Sequence, residues 1–170
     1  MPIVHDAFKN TLFNSTVDIE DENHSKLFEY YKMCVAGAES ISDRRQTANS
    51  FFLTINTVLI SFVSYMNFQE NHPNIAPLAV SFAGLAVCFM WFRLIQSYKE
   101  LNSAKFMTIL EIEKQLPMQA YAAEWIALGE GKDTSIYHPF TSVESRIPIL
   151  FMALHFAVIL YSLLIYFKPI

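Results

Sequence analysis

Residues 147–167 read IPILFMALHFAVILYSLLIYF, a run without a single charged side chain. A helix needs about 20 apolar residues, rising about 1.5 Å each, to cross a hydrocarbon core of roughly 30 Å. This run meets that length, and two more stretches do the same. Residues 50–68 read SFFLTINTVLISFVSYMNF and residues 75–95 read IAPLAVSFAGLAVCFMWFRLI; neither holds an acid, and Arg93 is their one basic residue. The first of these carries Thr54, Asn56, Thr57, Ser61 and Ser64. That polarity predicts a span partly lined by protein rather than by lipid on all sides. The expected fold class is therefore all-α, an integral membrane protein with three transmembrane helices extended into a helical cytoplasmic region.

Composition agrees with that reading. Of 170 residues, 53% are hydrophobic and 16% charged, which is more apolar than an ordinary soluble domain. The net charge of -4 and the scatter of the twelve Lys and Arg exclude a dense basic patch, so nucleic acid is not an expected partner. Cys34 lies in a polar helix and Cys88 in an apolar run, an arrangement that predicts packing thiols rather than a disulfide. Residues 1–45 are polar, so no cleavable signal peptide is expected and insertion is expected to use an internal span.

The basic residues assign the orientation. Lys9, Lys26, Lys32, Arg44 and Arg45 precede the first span, and Arg93, Lys99, Lys105, Lys114, Lys132 and Arg146 lie from the end of the second to the start of the third. The connector QENHPN has neither Lys nor Arg, and only Lys168 follows the third span. Positive charge stays on the cytoplasmic side. The expected order is thus an acidic N-terminal arm (1–22), a cytoplasmic amphipathic helix (23–49), a first span (50–68), an external loop (69–74) and a second span (75–95). Cytoplasmic helices and a loop (96–146), a third span (147–167) and an external tail (168–170) complete it. The N-terminus is cytoplasmic and the C-terminus external in this multi-pass reading.

Within 23–49, Leu27, Tyr31, Cys34, Ala38 and Ile41 recur every three or four residues and mark one apolar seam. The seam is expected to pack against a partner, and these five residues are the candidate oligomer interface. The same spacing continues to Arg45, Ala48, Phe52 and Ile55 with no Pro or Gly after Ile41, which predicts one helix running on into the span. After the second span, Leu101, Ile109, Ile112 and Leu116 continue a helical pattern until Pro117, which ends or kinks it. A short helix over about 118–128 and then a loop containing Gly129, Gly131 and Pro139 are expected to follow.

Few residues invite chemistry. The loop GEGKDTS suggests a phosphate cradle, but a phosphate-binding loop has its Lys directly before Ser or Thr, and here Asp133 follows Lys132. The five histidines His5, His24, His72, His138 and His155 never share a helical face at metal-ligand spacing. His155 lies near the middle of the third span, where an ionisable group is costly and marks a candidate site. Its ordinary reading is a neutral imidazole bonded to Asn56 or to a serine of a neighbouring helix; the sharper one is conduction of protons or ions. Asn49 and Asn56 share a helix face, and with Thr57 and His155 they are the candidate intramembrane polar or pore-lining residues. Arg44, Arg45 and Arg93 are candidates for interfacial contacts to lipid phosphate or for ion pairs with Glu100, Glu111 or Glu144. Glu111, Glu113 and Glu124 lack a nearby nucleophile or metal partner and read as a solvated or salt-bridged face. No catalytic residue, metal ligand or cofactor site is assigned, and the chain is not expected to be an enzyme.

Three strings carry a likeness to a known family: ESISDRRQTANSFFLTINT, WFRLIQSYKELNSAKF, and EWIALGEGKD followed by YHPFTSVESRIP. Over roughly residues 24–155 the chain resembles the RipA-type small bacterial inner-membrane proteins. The resemblance implies an inner-membrane octamer, associated with envelope homeostasis and growth inside host cells, with no established catalysis. The leading expectation is a homo-oligomeric membrane scaffold or sensor, with itself and membrane lipids as partners. The alternative is an ion or small-solute channel lined by the polar span residues; a membrane enzyme ranks below both.

Overall fold

The computed structural model describes residues 12, 21–69, 75–132, 135–138 and 140–167, and all regular structure among them is helical. Helix α1 spans Asp21–Gln69, α2 Ala76–Glu113, α3 Ala120–Ala127, α4 Phe140–Glu144 and α5 Arg146–Tyr166, with a short 3-10 turn at Gly129–Gly131. Three helical segments are long and apolar enough to cross a membrane: within α1, within α2, and across α4 and α5. The protein is an all-α chain with three candidate membrane-spanning helices. With 49 and 38 residues, α1 and α2 are about 74 Å and 57 Å long, well beyond what a bilayer core of roughly 30 Å requires. Of the acidic arm expected over 1–22, residues 1–11 and 13–20 lie outside the described residues. So do residues 70–74 of the expected external loop, the tail 168–170, and with them His5, Lys9, His72, Asp133, Pro139 and Lys168.

Described residues fall into two compact units, one from Met1–Ser42 and Glu100–His138, the other from Asp43–Lys99 and Pro139–Ile170. In the first unit, α2 stops at Glu113 for a local reason. Pro117 has no N–H to donate, and its ring would collide with the carbonyl four residues earlier, which belongs to Glu113. Two tight turns close the helix, with the Gln115 and Leu116 amides donating to the Ile112 and Glu113 carbonyls. Helix α3 then begins at Ala120.

The seam on α1 is partly covered by its own chain. Ala38 is buried, Tyr31 donates a 2.8 Å hydrogen bond to Glu113, and Leu27, Cys34 and Ile41 are half-buried. Within one copy Ala38 is covered fully and Leu27, Tyr31, Cys34 and Ile41 in part. A stripe of small and apolar residues packs on whatever covers it, and sequence spacing does not say whether that cover belongs to the same chain. Phe28, Tyr30 and Met33 on α1 are exposed instead, Met33 by 69%.

In the second unit, three helices present matching inner faces. On α2, Pro77, Ser81, Gly84, Cys88, Trp91 and Ile95 are all buried, alternating steps of four and three residues. Asn56 and Val63 on α1, and Pro148, His155 and Ile159 on α5, are buried too. Phe52 stacks on Trp91, and Phe151 of α5 lies 6.3 Å from the same ring. The opposite faces carry exposed apolar side chains such as Phe62, Phe89, Leu150 and Leu164. Such a surface suits lipid or a neighbouring subunit, where burial from water is not needed.

Candidate functional site

Several polar side chains lie within or beside the apolar core of the second unit. Asn49 accepts a 2.8 Å hydrogen bond from the Trp91 indole N–H. Asn56, fully buried, donates through Nδ2 to the Phe52 carbonyl at 2.8 Å and accepts from the Cys88 thiol at 2.9 Å. Both side-chain amides therefore bond within the chain. Thr57 is exposed and turns its hydroxyl back to the Leu53 carbonyl, a common way of satisfying a hydroxyl on a membrane helix.

His155 is fully buried on α5, and its ring rests on Gly84 of α2. A Cβ at position 84 would lie 2.1 Å from Cε1, 2.3 Å from Nε2 and 2.6 Å from Nδ1 of that ring. Only a residue without a side chain allows this approach, the use to which small residues are put where membrane helices pack closely. Neither ring nitrogen has a hydrogen-bond partner among the described residues, nor has the neighbouring Ser81 hydroxyl. The expected bond from His155 to Asn56 is not made, because the Asn56 amide goes to Phe52 and Cys88. The structure thus places Asn56 and His155 in the packed interior, Asn49 half-buried and Thr57 on the outside. The four do not face one common surface.

The interfacial arginines separate as well. Arg45 is half-buried and its Nε lies 3.6 Å from Glu144 Oε2, whereas Arg44 and Arg93 are exposed. Adjacent positions on a helix point about 100° apart, so one of two neighbouring arginines turns toward protein and the other away. Beside Arg45 and Glu144 opens a cleft of about 200 Å³, lined by Gln46, Asn49, Ser50, Leu53, Trp91, Glu144 and Ile147.

The residue that sequence reasoning missed lies in the first unit. Glu113 is completely buried, and its carboxylate accepts from the Tyr31 hydroxyl at 2.8 Å and from the Tyr121 and Ala122 amides at 3.0 Å each. Those two amides sit at the second and third positions of α3, whose own N-cap residue Gln119 supplies no side-chain bond. A helix N-terminus has orphan N–H groups and a partial positive charge, so a carboxylate there is stabilising. Glu113 therefore caps α3 from a position upstream of Gln119. Glu113 is thus neither solvated nor ion-paired as the solvated or salt-bridged reading expects, whereas Glu111, also buried, is paired with Lys114 at 2.6 Å.

Burial, then the hydrogen bond to Glu113 and that group's charge, push the Tyr31 phenol above its ordinary value of 10.0. Tyr121 is also raised, by burial first and then by the charges of Glu39, Glu124 and Glu113. A raised value in the folded state means that the stabilisation is complete below about pH 10 and is lost as pH climbs through the folded value. Thermal melts followed by circular dichroism at about pH 8, 9.5 and 11 should therefore show destabilisation beginning above about pH 10. Tyr31→Phe should be less stable at about pH 8 by about 1.5–3 kcal/mol and should lose less on going to about pH 11. Equal pH slopes in the two proteins would show that this phenol does not carry the effect.

The Gly-rich turn has its own geometry. Gly129, Glu130 and Gly131 all have positive φ, at 63°, 53° and 67°. A Cβ on Gly131 would come within 2.9 Å of Trp125, and Lys132 pairs with Glu130. Among the described residues no three of His, Cys, Asp and Glu gather where a metal ion could be held.

One comparison bears on these features. A profile of the octameric membrane protein family (8xMP) matches residues 28–164, nearly all of the described helices. The chain belongs to this family. No curated protein and no solved structure matches it. Membership in the octameric membrane protein family supports a homo-oligomeric membrane assembly. That assembly offers a cover for the large apolar side chains that a single copy leaves exposed.

Proposed function

We propose that this protein is an octameric, non-catalytic assembly of the bacterial inner membrane, of RipA type, serving as a scaffold or sensor in envelope homeostasis. Its N-terminus is cytoplasmic and its C-terminus external, as the distribution of Lys and Arg favours. The observation that carries the assembly is in the first unit, which the charge pattern puts in the cytoplasm rather than in lipid. There Tyr30 and Met33 are 59% and 69% exposed, and Met118 and Ile126 75% and 67%. Tyr30 and Met33 are three residues apart on α1 and so share a face. Large apolar side chains held out in water mark a surface that another protein covers, and in an octameric family that protein is a second copy.

The pore reading has less to support it. It rests on Asn49, Asn56, Thr57 and His155 as lining residues, yet the two amides are bonded within the chain, the Thr57 hydroxyl turns back to the Leu53 carbonyl and the imidazole packs on Gly84.

Native mass spectrometry in mild detergent tests the assembly. Tyr30→Asp with Met33→Asp should release the assembly into smaller species while helical content is retained, since neither side chain supports the fold. Leu27→Asp with Ile41→Asp should instead lose helical content, because that face is packed within the chain. An intact octamer in the Tyr30 and Met33 double variant would remove this face from the interface.

A further inference from the structure

The cleft beside Arg45 and Glu144 points to a headgroup more specific than the lipid phosphate expected of Arg45. It lies where the chain changes from charged to apolar. Asp43, Arg44, Arg45, Glu144 and Arg146 stand on one side of that change, and exposed Phe51, Leu53, Ile149 and Leu150 on the other. In a bilayer this is the level of the lipid headgroups. At about 200 Å³ the cleft falls below the ~300–1,000 Å³ of sites that enclose a whole small molecule, so it takes a small polar group whose remainder lies outside.

Charge selects the group. Among the described residues Glu144 is the only charged one lining the cleft, and around it stand the Gln46 and Asn49 amides and the Ser50 hydroxyl. Its Oε2 is buried without a hydrogen bond, since the 3.6 Å to Arg45 Nε exceeds hydrogen-bond length. A buried carboxylate oxygen with no donor favours a ligand that supplies N–H groups and positive charge. Arg45 next to it favours an anion, and its planar guanidinium suits phosphate. Leu53 and Ile147 lead from the cleft to the lipid-facing surface, where acyl chains would lie.

We infer that this cleft binds the headgroup of an aminophospholipid, with the primary ammonium at Glu144 and the phosphate at Arg45. A choline headgroup has the charge but no N–H to give. A glycerol headgroup brings no cation, so its phosphate would meet Glu144 uncompensated.

Native mass spectrometry of the detergent-extracted assembly, titrated with short-chain phosphatidylethanolamine, phosphatidylcholine or phosphatidylglycerol, reads this out as lipid retained per protomer, whatever the subunit number. Phosphatidylethanolamine should be retained about tenfold more than the other two, consistent with one charge-assisted contact. Glu144→Gln should remove that preference, and Ser50→Phe, which fills the cleft from an exposed position, should remove retention while leaving helical content intact. Should Glu144→Gln fail to fold because Arg45 loses its partner, Ser50→Phe decides alone. Equal retention of the three lipids, or wild-type retention in Ser50→Phe, would overturn the inference. So would displacement by soluble phosphoethanolamine at comparable concentration, which would make a free metabolite the ligand. Release of subunits by Ser50→Phe would overturn it too, since the cleft would then hold a neighbour's side chain.

Discussion

Gly84→Leu should prevent the second unit from packing. Even the first carbon of a new side chain would overlap three atoms of the His155 ring at 2.1–2.6 Å, and the ring, fully buried, has no open side to move into. Overpacking usually costs about 1–3 kcal/mol and more where backbone helices must separate, so a loss of about 3 kcal/mol or greater is expected for leucine. The diagnostic comparison is between Gly84→Ala, His155→Ala and the pair together, by thermal denaturation in detergent. Removing the ring creates space for the new methyl, so the double variant should be more stable than the sum of single losses predicts, by about 1–3 kcal/mol. Additive losses would mean that helix α5 does not seat His155 on Gly84.

The second large effect belongs to Glu113→Ala. Three donors lose their acceptor in that variant: the Tyr31 hydroxyl and the Tyr121 and Ala122 amides of α3. Hydrogen bonds to charged groups contribute about 1.5–3 kcal/mol each, and three are lost together. A loss of about 3 kcal/mol or more is therefore expected, with the first unit melting before the second. Hydrogen exchange should show the amides of 120–127 losing protection first, while those of 80–95 keep theirs. Protection unchanged across α3 would show that its N-terminus is held by something other than Glu113. Glu113→Gln should be milder, because the amide keeps an acceptor oxygen at the site but loses the charge that favours a helix N-terminus.

Both residues show how far a linear pattern reaches. Gly84 sits in an apolar run as one small residue among several, Ala79, Ala83 and Ala86 being near it. Its use appears only when α5 lays an imidazole across it. Glu113 is one of two acids in the polar stretch EIEKQ (111–115) near a helix end, and an acid in such a place is ordinarily solvated. A signal was available: Pro117 stops α2 at Glu113, and α3 starts soon afterwards with Gln119 as a poor cap. That combination leaves amides in want of an acceptor, with a carboxylate a short way upstream. Asn56 is similar. An apolar template chooses its neighbour Ile55 for the inner face, and the structure buries Asn56 because Phe52 and Cys88 satisfy its amide.

Fold class was legible from the residues alone. Runs of about 20 apolar residues leave the backbone no partner in lipid except its own next turn, so three spans and an all-α fold follow from composition and length. The seam from Leu27 to Ile41 was equally visible, because a helix repeats its faces every three to four residues. What covers each face came from tertiary packing. That packing turned Tyr31 and Ala38 inward, left Tyr30 and Met33 outward, and brought Arg45 to Glu144 from a distant stretch of chain. Spacing fixes which side chains share a surface, whereas the partner of that surface depends on contacts between segments far apart in sequence, which no local pattern encodes.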